Sequence, residues 1–542
     1  MQIGGIFLSP AHDGNGDDCM MLLEANNIKL FIKERLLLDI EKLQIQKKDR
    51  IGLVGRNGCG KTTLLEVLSG KTTADNGTIA ANGICELLPQ LKRTDTSKSG
   101  GEVTQEYINK ALAKNPEILL ADEPTTNLDT SHIEWLEKKF KKSLSALVLV
   151  SHDRAFLDVL CTTIWELDEG KVKVYKGNYS DYMEQKELEQ NQQKQAYETY
   201  ERKKKQLEEA LILKEKKAER ATKTPKNVSA SEASITGAKP YFAKKQKKLQ
   251  KTAKAIEMRL EKLDKVEKVK DAPVIKMNLP NEETFKGRIV LRAENVQSSI
   301  GKRLLWKSAS FHVRGGDKLA IIGPNGCGKT TLIKKIMNQD KGISVSPSMK
   351  IGYFSQNIDI LITEKSILEN VGSTSIQNET FIRTVLARLH FFREDVYKPV
   401  GVLSGGERVK VAFAKLFVSE INTIILDEPT NFLDISSVEA LESLLQEYEG
   451  TVIFVSHDRQ FIESIATRIL AINNQEIQLF DGTYEEYKNY TPKKARDTQE
   501  EQRLLLETRI TEVLSRLSIE PSDELELEFQ KLLAEKRKLN NQ

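Results

Sequence analysis

The sequence predicts an α/β protein of two tandem P-loop domains, joined by a long α-helical hairpin and followed by a C-terminal helical extension. Three observations predict it. Both halves of the chain carry the same motifs in the same order; the stretch between them, residues 184–272, matches nothing in either half; and that stretch is far more basic than the rest. Between 184 and 270 Lys and Arg number 24 against 14 Asp and Glu, whereas the whole chain carries +4, so everything else sums to −6. A chain of 542 residues, 39% of them hydrophobic, can build two or three cores. It holds no run of 18 apolar residues, so no membrane-spanning helix is expected. The cysteines (Cys19, Cys59, Cys85, Cys161 and Cys327) lack zinc or disulfide spacing, which points to a reduced, cytoplasmic setting.

Residues 1–20 open without a basic region and are rich in Gly and Asp; they read as a disordered leader rather than a signal peptide. The first domain spans 21–183. Its opening alternates short apolar runs with polar turns and ends in a buried strand, DRIGLVG. Directly after comes Gly55-Arg56-Asn57-Gly58-Cys59-Gly60-Lys61-Thr62, a match to G-x-x-x-x-G-K-[ST], and Thr63 leads on into a helical stretch. Glycines let backbone N–H groups close around phosphate oxygens, and the helix N-terminus adds a favourable field. Lys61 is placed to reach the β- and γ-phosphates, and the Thr62 hydroxyl to bind Mg2+. The second domain, 287–490, repeats the loop 268 residues on, at Gly323-Pro324-Asn325-Gly326-Cys327-Gly328-Lys329-Thr330-Thr331.

Further on the offset becomes 305 and stays there. Ser99-Gly100-Gly101-Glu102 pairs with Ser404-Gly405-Gly406-Glu407, and ILLADEP, with Asp122 and Glu123, pairs with IILDEP, with Asp427 and Glu428. Leu128-Asp129 pairs with Leu433-Asp434, Ser151-His152-Asp153-Arg154 with Ser456-His457-Asp458-Arg459, and GNYSDY from 177 with GTYEEY from 482. The change of offset is a difference of length. Eight residues separate Gln90 from Ser99, but 47 separate Gln356 from Ser404, among them the helical-looking ETFIRTVLARLHFF. An apolar strand ending in Asp-Glu sets a metal ligand and a base at the strand's carboxyl end. Asp122 and Asp427 are assigned to Mg2+, directly or through water, and Glu123 and Glu428 to polarising the attacking water. His152 and His457 each follow an apolar run and are placed near the γ-phosphate. A lone histidine there is more often structural; two at one offset inside one motif favour the catalytic place.

In the linker, Tyr197, Tyr200, Leu207, Leu211 and Ala218 fall on helical spacing, with Lys204 and Lys214 filling the series; Leu249, Ala253, Ile256, Leu260 and Leu263 repeat it. Pro225, Gly237 and Pro240 interrupt the pattern, so the hairpin tip falls at about 222–242, amid seven Lys and one Glu over 222–250. The first helix, from 184, is expected to run roughly 57 Å at 1.5 Å per residue. A solvated spacer is one reading of so charged a segment. The uneven charge and the pair Tyr241-Phe242 favour RNA contact, which needs phosphate attraction and a stacking surface. The residues assigned to it are Lys226, Val228, Ile235, Thr236, Lys239, Tyr241, Phe242, Lys244, Lys245, Lys247 and Lys248. Over 491–542, Leu506, Ile510, Val513 and Leu517 form one apolar stripe and Leu525, Phe529 and Leu532 another, as in a docked helical pair.

Taken together, the phosphate loops, Gln90, the SGGE segments, the Asp-Glu pairs, the Leu-Asp loops and the SHDR segments resemble ATP-binding-cassette (ABC) domains over residues 21–490. Two cassettes with a charged helical linker resemble the ABC-F class. Within it the short first cassette, the KSGGE variant, the long linker and the C-terminal extension resemble the Vga-type antibiotic-resistance proteins. The resemblance implies ATP and Mg2+ as cofactors, Gln90 and Gln356 as further metal ligands, and a monomer whose cassettes pair head to tail. Ser404, Gly405, Gly406 and Glu407 then cap the ATP on Lys61, and Ser99, Gly100, Gly101 and Glu102 the one on Lys329. Phe31 stands where an aromatic often stacks on adenine, while its equivalent is Ser299. The resemblance also implies binding at the ribosome's tRNA exit site, beside P-site tRNA. The linker tip then meets large-subunit rRNA near the peptidyl-transferase centre and protects it from pleuromutilin, lincosamide and streptogramin A antibiotics, with hydrolysis driving release. Two other readings are a housekeeping translation factor of the same fold and the ATPase subunit of a drug-efflux transporter. The latter has no use for a basic rod. Removing residues 1–19 is expected to leave ATPase activity and resistance unchanged; failure of the shortened chain to show a cooperative melt would contradict this.

Overall fold

The computed structural model describes residues 20–90, 100–126, 128–220, 238–263, 265–266, 286–301, 303–355, 360–431 and 433–490, with 510, 513, 526, 529–534 and 536 near the C-terminus. Contacts divide the chain into two units, 1–481 and 482–542.

The first half opens with β1 (Met21–Ile32) and β2 (Arg35–Gln46), an antiparallel pair whose residues alternate between buried and exposed, as a sheet with one covered face requires. Next come β3 (Arg50–Val54), α1 (Lys61–Leu68), β4 (Asn76–Ala81), which pairs with β1, and β5 (Cys85–Leu88). They are followed by α2 (Gly100–Ala113), β6 (Ile118–Asp122), α3 (Thr130–Lys142), β7 (Ala146–Val150), α4 (Arg154–Leu160), β8 (Thr163–Asp168) and β9 (Lys171–Lys176). The main sheet has the order β5-β6-β7-β3-β8-β9, parallel except at β9. The strands β6 and β7 are buried at every position, because in a parallel sheet covered on both faces no side of the strand meets water. All loops that leave the carboxyl ends of β3, β6 and β7 therefore meet at one edge of the sheet, and these loops carry the motifs.

The first linker helix begins inside the first domain. Helix α5 runs from Tyr179 to Arg220, 42 residues, and so about 63 Å, rather than starting at 184. Its root is built into the first half: Tyr182 is buried, donates its hydroxyl to Glu166 at 2.9 Å, and meets the Tyr175 ring edge-on at 4.9 Å. Helix α6 (Ala238–Glu261) packs back along it. Ala218 and Ala253 are buried, and the half-buried positions of α5 include Tyr197, Tyr200, Lys204, Leu207, Leu211 and Lys214, with Leu249, Ile256 and Leu260 on α6. The lysines in that series lay their aliphatic stems along the seam. The tip residues 221–237 lie outside the described residues.

The second half repeats the first: β10 (Ile289–Ile300), β11 (Arg303–Arg314), β12 (Lys318–Ile322), α7 (Lys329–Asn338), β13 (Ile343–Val345) and β14 (Ile351–Phe354). Then come α8 (Ile367–Gly372), α9 (Glu379–Arg388), α10 (Gly405–Val418), β15 (Thr423–Asp427), α11 (Ile435–Glu447), β16 (Thr451–Val455), α12 (Arg459–Ile465), β17 (Arg468–Asn473) and β18 (Glu476–Asp481). Its main sheet, β14-β15-β16-β12-β17-β18, has the same order strand for strand. Helices α8 and α9 form the insertion that the longer spacing before Ser404 announces, and Ile367, Val371, Ile382, Val385 and Leu386 bury one face of it. In the second unit, α13 (Tyr484–Asn489) is followed by a small cluster in which Ile510, Val513 and Leu532 are buried against Phe529 and Leu533. Leu506, Leu517 and Leu525 lie outside the described residues. Among the described residues no helix is long and apolar enough to cross a membrane.

Candidate active sites

In the first half the motif side chains converge. Lys61 folds back over its own loop, donating to the carbonyls of Gly55 at 2.7 Å and Arg56 at 3.0 Å. Gly58, at φ 76°, faces open space, and a Cβ at Gly55, φ 154°, would stand 2.4 Å from the Leu167 carbonyl oxygen. The loop is a backbone-lined cradle of the kind a phosphate fills. The Thr62 hydroxyl donates to Asp122 at 2.7 Å. One hydroxyl and one carboxylate suit a hard cation whose other ligands are phosphate and water oxygens. Burial pushes the Asp122 carboxyl up, a cost that a cation beside it removes.

Glu123 carries the denser network. It accepts from Gln90 at 2.9 Å and from Thr126 at 3.0 Å, and its other oxygen lies 3.0 Å from His152 Nε2. Burial raises its pKa, but the bonds from His152 and Thr126 and the nearby Lys61 outweigh it and hold the carboxyl below its ordinary value. In the second half Lys329 donates to the carbonyls of Gly323 at 2.9 Å and Pro324 at 3.2 Å, and Thr330 to Asp427 at 3.3 Å. His457 Nε2 stands 3.4 Å from Glu428, and Asn431 replaces Thr126. With fewer short contacts, burial prevails: Glu428 is pushed up to about 8, and burial beside Lys329 pulls His457 down to about 3. The Gln356 position lies outside the described residues.

Two features escape a reading of the motifs alone. Glu123 and Glu428 both sit in the left-handed region, at φ 49° and 53°. That conformation costs a non-glycine residue on the order of 1–3 kcal/mol and collects at functional sites. It is held by the backbone bonds Glu123 N–H to Val150 O, 2.8 Å, and Glu428 N–H to Val455 O, 2.9 Å. The second feature joins the halves. Asp129 caps α3 with one oxygen, accepting from His132 N–H at 3.1 Å, and with the other accepts from Asn325 N–H, in the opposite phosphate loop, at 3.0 Å. Asp434 does the same for α11 and for Asn57 N–H, at 2.9 and 3.0 Å. Burial works against both charges, but these bonds hold both carboxyls well below the ordinary range.

Ser404 caps α10 in a full capping box with Glu407, and a Cβ at Gly405 would meet nothing within 4 Å. Burial lowers the pKa of Lys410 on that same helix. Of the other segment, Ser99 lies outside the described residues and Gly100, Gly101 and Glu102 form the first turn of α2. Phe31 is 44% exposed, with its N–H bonded to Asp75 at 2.7 Å, so its ring is accessible; Ser299 is exposed too. The expected tip residues Lys226, Val228, Ile235 and Thr236 lie outside the described residues, while Lys239, Tyr241, Phe242 and Lys245 are on α6 and Lys244, Lys247 and Lys248 are exposed on it. A cavity of about 960 Å³, lined by Met20, Leu112, Trp135, Lys139 and Leu144 among others, opens at the opposite end of the first sheet and touches none of the motifs.

A family model described as ABC transporter matches residues 38–86 and 306–431, and a second of the same description, an extension model, matches 165–277, which takes in the linker. The chain is 33% identical to the ribosome protection protein VmlR of Bacillus subtilis (strain 168), covering 96% of this chain and 99% of the relative. It is also 33% identical to the erythromycin resistance ATP-binding protein MsrA of Staphylococcus epidermidis, covering 84% and 98%. Other relatives at 30–34% identity carry names that state ATP binding alone. Among solved structures, the archaeal ribosome recycling factor aABCE1, in complex with the stalk protein aP1, superposes with a TM-score of 0.56 at 17% identity over 85% of this chain and 91% of that one, a likeness of fold. Duplicated phosphate loops, cross-bonded cassettes, the helical insert between them and relatives matched over their whole length leave one assignment: the chain is an ATP hydrolase of the ABC-F family of ATP-binding-cassette proteins.

Proposed function

We propose that this ATPase is a cytoplasmic ribosome-protection factor. It binds the ribosome at the tRNA exit site, uses the tip of its linker to shield the peptidyl-transferase centre from pleuromutilin, lincosamide and streptogramin A antibiotics, and leaves on ATP hydrolysis. The observation that carries the reading is the linker itself: a basic hairpin about 63 Å along its first helix, rooted by Tyr182 in the first cassette. Its exposed lysines suit a phosphate backbone, and the names of two relatives state ribosome protection and erythromycin resistance. In each site Thr62 with Asp122, and Thr330 with Asp427, would hold Mg2+; Gln90 and Gln356 complete the assignment. Glu123 and Glu428 orient the attacking water, and His152 and His457 fix them. Residues 21–183 and 287–490 act as the cassettes, 184–272 as the linker and 491–542 as an extension, in a monomer. Expression in a susceptible host should raise the inhibitory concentrations of these drugs, and Lys61→Ala/Lys329→Ala should abolish the increase. Unchanged susceptibility with the protein present and folded overturns the reading in favour of a housekeeping factor.

The two sites should turn over unequally. The ATP on Lys61 faces the fully capped α10, and its base Glu123 has three short polar contacts. Glu123→Gln alone should therefore lower steady-state ATPase activity more than Glu428→Gln alone. Equal losses, or the reverse order, contradict it.

A further inference from the structure

The switch segments Ser151–Arg154 and Ser456–Arg459 end on arginines to which the chemistry at the γ-phosphate gives no part. Each is spent on the other cassette. Arg154 is buried and forms a two-pronged ion pair with Glu442 on α11, one arm at 3.0 Å, and its guanidinium lies 3.9 Å from Asp458. Arg459, at the mirrored position, pairs with Glu137 on α3. Arg154 and Arg459 differ by 305 in number, as do Glu137 and Glu442, so the two pairs are related by the same duplication as the motifs. The helices that supply the glutamates are those capped by Asp129 and Asp434. Each helix thus grips the opposite ATP site twice, at its phosphate loop through the capping Asp and at its switch segment through the Glu. On α11 the grip extends further: Glu439, one turn before Glu442, accepts from the hydroxyl of Tyr179 at 3.3 Å, on the first turn of the linker helix.

Buried ion pairs add little net stability, but a partner left alone in the interface is costly, which makes such pairs effective at fixing one arrangement. Arg154 and Arg459 each stand two residues after the histidine, His152 or His457, that meets Glu123 or Glu428. We propose that Arg154 and Arg459 are positioning residues for ATP hydrolysis. Each is held by a glutamate of the opposite cassette, so each switch histidine takes its working place only when the cassettes are paired. Pairing then controls turnover at the site that carries the arginine.

A double-mutant cycle on the full-length protein tests this, with Arg154→Met, Glu442→Gln and the combination. Made in a Glu428→Gln background, where only the site on Lys61 turns over, each single change should lower kcat at least about tenfold while the KM for ATP moves less than about threefold, the signature of lost transition-state positioning. The double variant should be no worse than the poorer single, because both remove one interaction. The effect should also be specific to one site. Arg154→Met should depress the residual turnover of a Glu428→Gln background, whose working site is the one on Lys61, and leave that of a Glu123→Gln background within about twofold. Singles with wild-type kcat, losses that multiply in the double, or equal losses in both backgrounds would each overturn the proposal. If Arg154→Met does not fold, as shown by its melting curve, the mirrored cycle on Glu137 and Arg459 reads the same question at the other site, with the backgrounds exchanged.

Discussion

Replacing both Glu123 and Glu428 by Gln should cut ATP turnover about a hundredfold or more and leave ATP binding intact. The magnitude is that of losing a general base. Binding should survive because the change is isosteric and touches neither cradle. Lys61 and Lys329 keep their loop, and the Thr62–Asp122 and Thr330–Asp427 contacts do not involve the glutamates. The cross-cassette bonds from Asp129 and Asp434 are also untouched, so ATP should hold the cassettes together with no route to release them. In cells such a form should inhibit growth. Steady-state phosphate release and a nucleotide-binding titration check the two halves of the expectation. Turnover at the wild-type rate would remove Glu123 and Glu428 from the catalytic role.

Much of this was legible in the sequence because duplication repeats what matters. Lys61 and Lys329, the Asp-Glu pairs and His152 with His457 recur at fixed offsets, and the fold brings each set together at one sheet edge. The helical insert before Ser404 could be read from spacing alone, and α8 and α9 occupy it. What the motifs did not reveal has a physical reason in each case. The left-handed backbone of Glu123 and Glu428 is imposed by bonds to Val150 and Val455, on a neighbouring strand, and leaves no mark in residue type. Helix α5 starts five residues before 184, because Tyr179 and Tyr182 belong both to the repeated GNYSDY segment and to the helix it begins. Glu137 and Glu442 look like ordinary solvent-facing glutamates on amphipathic helices. A signal was there: Glu134-x-Leu-Glu137 and Glu439-x-Leu-Glu442 share the 305 offset. Only the pairing of the cassettes shows where those faces point.

Shortening the linker tip, by removing residues 228–236, should abolish resistance and leave ATPase activity near wild type. The two effects separate because the catalytic groups lie on the cassettes, while the linker is joined to them through the root of α5. The stretch is rich in small side chains (Ser229, Ala230, Ser231, Ala233, Ser234), which suits a narrow space lined by RNA. Larger or smaller residues at Val228, Ile235 or Thr236 should change which drugs are tolerated. Replacing Lys244, Lys245, Lys247 and Lys248 by Ala should instead weaken ribosome binding whatever the drug, and flatten its dependence on salt, since each lost phosphate contact removes a share of counterion release. A passive spacer predicts otherwise: resistance persists through any tip change that keeps α5 and α6 packed. Inhibitory concentrations measured beside ATPase rates for the same variants decide between them, and a shortened tip with full resistance rejects the active role.

If hydrolysis releases this protein from the ribosome, its ATP-paired form should stay bound there, and sedimentation tests this most directly. Purified Glu123→Gln/Glu428→Gln protein, mixed with ribosomes and spun through a sucrose cushion, should pellet with them in near-equal amounts when ATP is present. It should stay in the supernatant with ADP or without nucleotide. Recovery in the supernatant under all three conditions, from protein that binds ATP, would contradict the account.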